Sequence, residues 1–352
     1  VLLKNEDELL PLPRAGKKIA LIGPFVQGQR ELVGPWNVYG TDADAIDLLS
    51  GMRAVAADPD SIVAVDGSGI EKPVKGGIEA AVAAAQAADI VVLAVGESQK
   101  MSGEAQSRTD IVIPAPQMAL AEAVAATGKP MVVLLRHGRA LALHGAVKDA
   151  QAILATWFLG SMSGMATADI LFGLASPSAR LPCSFPYESG QEPLYYAHKN
   201  TGRPNPPGPR VAYKAHYRDA PNAALYPFGH GLTYGEIVYT AIDMGSGRLA
   251  AGGELTVTAT LRNSGRYEAT EVAQLYVQDI TASITRPVRE LKAFQRVTLK
   301  PGESRPVTFT LKREALLFLG QDMQETVEPG KFRLWVAPSA QAEGVSDMFT
   351  LA

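Results

Sequence analysis

Over roughly the first half of the chain, short apolar runs alternate with alanine-rich segments in which apolar residues recur at helical spacing. The apolar runs are rich in β-branched residues and hold few polar positions, as expected of strands covered on both faces. Strands that alternate with helices in this way are typical of a largely parallel sheet built from βαβ units. The predicted strands cover residues 18–23, 90–95, 131–135 and 151–157, and the predicted helices cover residues 78–88, 114–126 and 165–172.

After Tyr234 the hydrophobic pattern changes to a period of two. In residues 254–261 (ELTVTATL) leucine, valine and alanine alternate with glutamate and threonine, which places the apolar side chains on one face of a strand. Residues 307–311 and 331–337 repeat the alternation, and the intervening NSG and KPGES segments are typical of turns. The pattern therefore predicts an antiparallel β-sandwich of immunoglobulin or fibronectin type III size.

Between these regions the sequence is rich in proline, glycine, tyrosine, histidine and asparagine, including RPNPPGPR at residues 203–210. Proline propagates neither a helix nor a strand ladder, so this segment is predicted to be a linker with ordered loops. We predict an α/β sandwich domain at residues 1–186, the linker at 187–235 and the β-sandwich at 236–352. The chain opens at residues 1–12 with an apolar segment that we expect to be helix-like and to continue from residues upstream of Val1.

Composition and charge remove several classes of partner. Thirty-three lysines and arginines against 36 aspartates and glutamates leave a net charge of −3, without the basic surplus that attracts nucleic acid or anionic lipid. No apolar run approaches the roughly 20 residues of a membrane span. A single cysteine, Cys183, excludes an internal disulfide framework. We therefore expect neither nucleic acid nor a membrane as a partner.

Common cofactor and nucleophile motifs are absent from the sequence. The first strand leads into PFVQGQ rather than G-x-G-x-x-G, and no G-x-x-x-x-G-K-[ST] occurs, which disfavours nucleotide cofactors. GSMSG at residues 160–164 has Met162 where a serine hydrolase needs its nucleophile. The five histidines show no H-E-x-x-H spacing, so no metal site is predicted.

The loop after the strand at residues 90–95 carries the candidate chemistry. In an open α/β sheet, ligands bind beyond the carboxyl ends of the strands, and this loop holds Glu97, Glu104 and Arg108 between glycines. Two interpretations stay open at this point: a solvated surface loop, or a carboxylic acid on a projecting arm that donates a proton.

Several segments spread in order along the chain together resemble glycoside hydrolase family three, with bacterial periplasmic-type β-glucosidases as the nearest likeness. They are VLLKN at the start, SGEAQSR before IVIP, WFLGSMSGMATADILFG, PSARLPCSFP, HKNTGRP and LYPFGHGLTY. Each segment is weak evidence alone, but the ordered set is specific.

The resemblance implies three parts: an N-terminal TIM-like barrel, an α/β sandwich domain, and an all-β fibronectin type III-like (immunoglobulin-like) sandwich. Only the last two are present in this chain. The family's nucleophile is an aspartate on the barrel, so it is expected to precede Val1. Its general acid/base is a glutamate in an S-G-E segment followed by an arginine, which corresponds to Glu104.

Glu97 is the competing candidate for the acid/base, although it follows its strand directly and lacks the S-G-E context. Glu97 and Arg108 are assigned to substrate binding, and Arg108 is expected to pair with either Glu104 or Glu97. Trp36, in LVGPWN, is expected to be structural, with sugar stacking as the alternative. The catalytic assignment in this chain is therefore Glu104 alone, with no metal and no cofactor.

The implied function is that of a retaining, exo-acting β-glucosidase, in which this chain supplies the acid/base and the barrel supplies the nucleophile. The alternatives are a β-xylosidase or arabinofuranosidase of the same family, or a non-catalytic carbohydrate-binding or interaction module. The expected partners are a β-glucoside or gluco-oligosaccharide and the barrel half, with homodimerisation left open, and the expected location is periplasmic or secreted. Without the nucleophile, this chain alone is expected to hydrolyse nothing measurably.

Overall fold

The computed structural model describes residues 1–205, 209–250 and 252–352. Its contacts divide the chain into two compact units. The first unit contains Val1–Pro177 and Pro186–Glu192, and the second contains Ser178–Phe185 and Pro193–Ala352. The boundaries at residues 186 and 235 stay a prediction, and part of the RPNPPGPR segment lies outside the described residues.

A six-stranded sheet forms the centre of the first unit. Its strands follow the order β1-β6-β5-β4-β2-β3, in which β2 to β6 are parallel to one another. Every residue of the central β4 is buried. Both faces of this strand are therefore covered, as expected of a continuous apolar run in a parallel sheet. The strands are β1 (Leu2–Asn5), β2 (Ile19–Ile22), β3 (Ile62–Val65), β4 (Ile90–Gly96), β5 (Met131–Arg136) and β6 (Ala152–Ala155).

Five helices complete the first unit. They are α1 (Leu48–Val55), α2 (Gly77–Ala87), α3 (Ala115–Ala125), α4 (Gly145–Asp149) and α5 (Ser163–Leu171). Helix α1 packs against α5, while α2, α3 and α4 contact one another in turn. Right-handed crossovers place these two groups on opposite faces of the sheet, because the strand order reverses direction after β3. The predicted strands and helices of this unit are confirmed.

The opening segment differs from expectation. Residues Leu2–Asn5 are not helical: they form β1, which pairs antiparallel with β6 at the edge of the sheet. Leu2 and Leu3 are both buried, so the strand shows no alternation of apolar and polar positions by which the sequence could reveal it.

The chain leaves β2 and β4 in opposite directions. Strand β2 connects through α1 to β3 on one side, whereas β4 connects through α3 to β5 on the other. The carboxyl ends of these adjacent strands therefore form a topological switch point, where open α/β sheets bind their ligands. The loop that follows β4, residues 97–113, starts at this point and is called the β4 loop below.

The second unit contains two mainly antiparallel sheets that enclose one core, as the period-two pattern predicts, and the two-residue strand β8 pairs parallel with β16. One sheet has the order β11-β10-β15-β16-β8 and the other the order β12-β9-β7. The core takes residues from both sheets, including Leu255 and Phe309 from one and Leu275 and Phe332 from the other. The strands are β7 (Ile237–Asp243), β8 (Arg248–Leu249), β9 (Glu254–Asn263), β10 (Ala269–Asp279), β11 (Glu290–Leu299), β12 (Ser304–Lys312), β13 (Phe318–Leu319), β14 (Glu325–Thr326), β15 (Gly330–Ala337) and β16 (Val345–Leu351).

A buried ion pair joins this sandwich to the short segment Ser178–Phe185 that belongs to the same unit. Arg180 Nη2 donates to Glu271 Oε1 at 2.7 Å, and both side chains are less than a tenth exposed. Within the described ranges, no helix has the length and apolar character needed to cross a membrane.

Candidate active site

The end of β4 is held by a glycine and a glutamine. Gly96 has a φ of +138°, and a Cβ at this position would lie 1.8 Å from the Arg136 carbonyl oxygen of β5. The side chain of Gln117, in the first turn of α3, accepts from Gly96 N–H at 2.8 Å and donates to Gly96 O at 2.9 Å. Gln117 is wholly buried, so these bonds also satisfy its own amide. The β4 loop therefore departs from a fixed backbone position.

Glu97, the first residue of the loop, is wholly buried and bound by two arginines. Arg108 Nη1 lies 2.8 Å and Arg139 Nε lies 3.1 Å from Glu97 Oε1. The Gly138 N–H approaches the other carboxylate oxygen at 3.4 Å. A buried carboxylate is tolerated only where such partners replace its hydration. In this arrangement Glu97 has no exposed surface at which a sugar hydroxyl could bind.

The two arginines also bind backbone carbonyl groups of the loop. Arg139 Nη2 donates to the carbonyls of Met101 and Gln106, the latter at 2.6 Å. Arg108 Nη2 donates to the carbonyl of Val112 at 2.9 Å. Arg108 thus donates both to Glu97 and to the loop, whereas Arg139 forms an ion pair with Glu97 and donates to the loop. A lysine ammonium could not match this geometry.

Two further contacts fix the first half of the loop. Glu31, from the loop that follows β2, accepts from the Gln99 N–H at 2.5 Å. Ser102 is buried, and a Cβ at Gly138 would lie 2.0 Å from its hydroxyl oxygen. The loop therefore contacts the segments that follow β2 and β5, the two strands that flank β4.

Glu104 lies at the exposed tip of the β4 loop. The Gln106 N–H donates to the Gly103 carbonyl at 3.4 Å, which closes a turn around Glu104. Gly103 and Ala105, on either side of it, have φ angles of +100° and +58°. The side chain of Glu104 is exposed and makes no hydrogen bond or ion pair within the described part of the chain. It is therefore a carboxylate available to an external group.

An exposed aromatic side chain lies beside this tip. Trp36 is 66% exposed, and its Nε1 atom lies 3.6 Å from the position that a Cβ of Gly103 would occupy. Pro35 packs still closer to the same glycine. The alternatives of a structural and a sugar-stacking role for Trp36 both fit this position.

Burial shifts the pKa values of two ionisable groups at the end of β5. Burial lowers the pKa of His137 to about 3, so the ring is neutral at physiological pH while its Nδ1 contacts the Arg139 carbonyl oxygen at 2.8 Å. The His137 ring packs at 4.2 Å against Trp157. Burial lowers the pKa of Arg136 to about 10, and its guanidinium lies over the Phe25 ring. Arg136 therefore stays charged at neutral pH.

The structure brings the three predicted site residues onto one loop but gives them different surroundings. Arg108 pairs with Glu97, one of its two expected partners, and does not contact Glu104. The substrate-binding roles of Glu97 and Arg108 stay predictions, although both side chains are engaged with each other. No group of three or more His, Cys, Asp or Glu residues is arranged to hold a metal ion in the described ranges.

Arg139, Gln117 and Glu31 are site residues that sequence reasoning missed. Arg139 follows the end of β5 in HGRAL, and strand ends are where a parallel sheet positions polar side chains, so its place was a usable signal. Gln117 is a polar residue on the buried face of an otherwise apolar helix, which is a second usable signal. Glu31 lies in a glycine-rich loop whose course the sequence does not indicate.

Comparison with known proteins agrees with this fold. The profile of the glycosyl hydrolase family 3 C-terminal domain matches residues 1–234. The chain belongs to glycosyl hydrolase family 3. The profile of the fibronectin type III-like domain matches residues 271–340. The family resemblance, the α/β domain and the fibronectin type III-like sandwich are thereby confirmed.

Full-length relatives extend this likeness to the whole chain. A periplasmic β-glucosidase of Salmonella typhimurium is 42% identical over 96% of the chain and 46% of the relative, and a β-xylosidase of Formosa agariphila is 36% identical over 97% and 47%. The crystal structure of a Listeria innocua β-glucosidase variant with laminaribiose matches with a TM-score of 0.93 and 39% identity, over 100% of this chain and 48% of that one. The family 3 chain therefore spans about half the length of the relatives that it matches.

Proposed function

We propose that the full-length protein that carries this chain is a retaining, exo-acting β-glucosidase and that Glu104 is its general acid/base. The observation that supports the proposal is the contrast between the two glutamates of the β4 loop. Glu104 is exposed, unpaired within the described residues and at the loop tip, whereas Glu97 is enclosed by two arginines. A group that exchanges protons with a substrate must be able to reach it.

The reaction has two steps that use Glu104 in opposite directions. In the first, a carboxylate nucleophile bonds to the anomeric carbon, the glycosidic C–O bond breaks, and the Glu104 carboxyl proton passes to the departing oxygen. In the second, water attacks the same carbon, its proton passes to the Glu104 carboxylate, and the glycosyl ester bond breaks. The nucleophile belongs to the proposed barrel half, at roughly 5 to 5.5 Å from Glu104 in the catalytic arrangement.

The loop suits a proton donor that serves a site outside its own domain. Residues 97–102 are attached to the sheet, while the turn at 103–106 projects an exposed side chain. The proposed partners are therefore the barrel half and a β-glucoside or gluco-oligosaccharide. Periplasmic or secreted location is proposed from the Salmonella relative, whose name states that location.

A β-xylosidase is the second candidate, because the Formosa relative of that name is 36% identical over nearly the whole chain. Glucose and xylose differ by one hydroxymethyl group, so the two candidates separate in a direct comparison of kcat/KM for nitrophenyl β-glucoside and nitrophenyl β-xyloside. We expect the glucoside to be preferred by the full-length protein.

The acid/base assignment is tested by Glu104→Ala in the full-length protein, with Glu79→Ala, an exposed carboxylate on α2, as the control. We expect loss of kcat/KM by about 10²- to 10⁴-fold for cellobiose, and a much smaller loss for a dinitrophenyl glucoside, whose leaving group departs without protonation. Azide needs no deprotonation, so it should accelerate the second step and yield a β-glucosyl azide.

Cellobiose turnover within a few fold of wild type in Glu104→Ala would overturn the assignment. Azide rescue of a Glu97 variant instead would transfer the acid/base role to Glu97. If the 352 residues alone turn over aryl glucosides robustly, the proposed division of catalytic groups between two halves is wrong.

A further inference from the structure

We propose that Glu97, acting through Arg108 and Arg139, is the positioning residue that sets where Glu104 lies. This inference rests on the proposed acid/base role of Glu104. It assigns Glu97 neither to proton transfer nor to substrate binding: the carboxylate acts only through the two arginines.

The negative charge of Glu97 holds two arginine side chains in place. The carboxylate has no exposed surface, and its three partners are the Arg108 and Arg139 guanidinium groups and the Gly138 N–H. Neutralising this side chain would leave two arginines, each about a fifth exposed, without the anion that fixes their orientation. Both arginines could then turn toward solvent.

The same two arginines also donate to backbone carbonyl groups of the β4 loop. Arg139 binds the carbonyls of Met101 and Gln106, which stand on either side of Glu104. Arg108 binds the Val112 carbonyl near the end of the loop. One buried carboxylate thus orients both guanidinium groups that bind the loop before and after its tip.

The β4 loop has little regular structure that could hold its tip in another way. Between β4 and α3 the loop contains only a short 3₁₀ turn at Gln99–Met101 and a single bridge from Val112 to Ala142. The tip turn itself includes left-handed backbone at Gly103 and Ala105. A tip of this kind keeps its position only while the surrounding bonds impose it.

The expected consequence concerns protonation and not catalysis in general. Misplacement of a catalytic group by about 1 Å can cost about 10²-fold in rate. In kcat/KM, which reports the steps up to the glycosyl-enzyme, only substrates that need the acid to expel their leaving group should show this loss, because attack by the nucleophile does not involve the β4 loop. A variant that is merely less folded loses activity equally on every substrate.

The test is Glu97→Gln in the full-length protein, which keeps the size of the side chain and removes its charge. We expect kcat/KM to fall about 10²-fold for cellobiose and less than about threefold for a dinitrophenyl glucoside. The matched control is Glu271→Gln, which alters another buried carboxylate with an arginine partner. In this control, kcat/KM should change by the same factor for both substrates.

A second variant covers the outcome that Glu97→Gln does not fold. Arg139→Lys keeps a cation for Glu97, but one ammonium group cannot also reach both loop carbonyls in the fork geometry. We expect the same selective loss on cellobiose. Trypsin gives a readout besides activity: cleavage after the exposed Lys100 should be faster in both variants than in Glu271→Gln.

Azide separates this inference from the assignment on which it rests. The Glu104 carboxylate is still present in Glu97→Gln, so azide should give no acceleration and no glycosyl azide. An equal loss on both substrates, or no loss, overturns the positioning role and leaves the acid/base assignment standing. Glycosyl azide formed by Glu97→Gln overturns both.

Discussion

Two buried glutamate–arginine pairs in the described residues look alike, but we assign them different roles. Arg108 lies 2.8 Å from Glu97 in the first unit, and Arg180 lies 2.7 Å from Glu271 in the second. Glu271 also accepts from the N–H of its neighbour Val272 and interacts with the Tyr239 hydroxyl of β7, and Arg180 donates to the carbonyl of Ala179. These partners lie next to the pair in sequence or in the sandwich itself, so this pair is called closed below.

The pair at Glu97 is open by contrast. Its arginines donate to carbonyls of an irregular loop and are 21% and 24% exposed, whereas Arg180 is 7% exposed. A closed pair contributes to the integrity of one fold, while an open pair transmits the position of one carboxylate to a segment several residues away. Similar distances and similar burial of the acid thus do not imply the same role.

The largest effect expected on folding comes from breaking the closed pair. Glu271→Leu leaves Arg180 buried without its anion, which typically costs about 3–5 kcal/mol. Glu97→Leu should cost less in unfolding free energy, because its arginines can reach water. Urea unfolding of both variants, followed by a probe in each unit, measures the two losses of unfolding free energy. A greater loss in Glu97→Leu would contradict the distinction between the open and the closed pair.

The next largest effect on the unfolding free energy is expected at Gly96, where the β4 loop leaves the sheet. Gly96→Ala forces a methyl group to within 1.8 Å of the Arg136 carbonyl oxygen at a backbone angle that alanine avoids. We expect a loss of about 2–4 kcal/mol. Gly190→Ala is the control in the same unit, since a methyl group there has no neighbour within 4 Å. Equal melting temperatures for the two variants would refute the constraint.

The buried His137, close in sequence to Arg139 of the open pair, predicts a pH dependence of the unfolding free energy. The folded-state pKa of His137, about 3, lies below its ordinary value of 6.5. As the pH falls, the unfolded chain therefore takes up this proton before the folded chain does. The contribution of neutral His137 to the unfolding free energy is complete above about pH 6.5. It is lost as the pH falls toward 3, with a slope of at most about 1.4 kcal/mol per pH unit.

His137→Asn keeps a donor toward the Arg139 carbonyl and should flatten that slope. Unfolding free energies of wild type and variant, measured between pH 4 and 7 in steps, give the comparison. A parallel decline in both proteins would assign the pH dependence to other groups.

The smallest effect is expected at an exposed pair. Lys4 lies 3.2 Å from Glu6, whose side chain is 58% exposed. Glu6→Gln should change the unfolding free energy by less than about 0.5 kcal/mol, and less again in high salt. Calorimetry at two salt concentrations tests this, and a change comparable with that of Glu271→Leu would show that distance alone decides the strength of these pairs.

The sequence predicts the regular elements of both units because their hydrophobic periods are clear. β4 is a continuous apolar run, and β9 alternates strictly. The strand Leu2–Asn5 is not predicted by its hydrophobic pattern, because its pairing with β6 depends on residues about 150 positions away.

The candidate site is only partly readable. The position of Glu104 follows from a strand end and from a family motif, but the burial of Glu97 does not, because any glutamate after a strand is expected to be solvated. Burial becomes possible only when Arg139, from another loop, supplies a second cation. Contacts between loops of different strands leave no periodic trace in the sequence.

The close contact between Ser102 and Gly138 has a consequence for engineering the loop. A library that varies either position will mostly sample clashes, because even a methyl group at 138 overlaps the Ser102 hydroxyl. Gln106 and Ser107 are different, since their exposed side chains make no hydrogen bond or ion pair within the described residues and the Arg139 bond at 106 uses only the backbone. Variation for new leaving groups is therefore best concentrated at these two positions, where diversity leaves the scaffold of the loop intact.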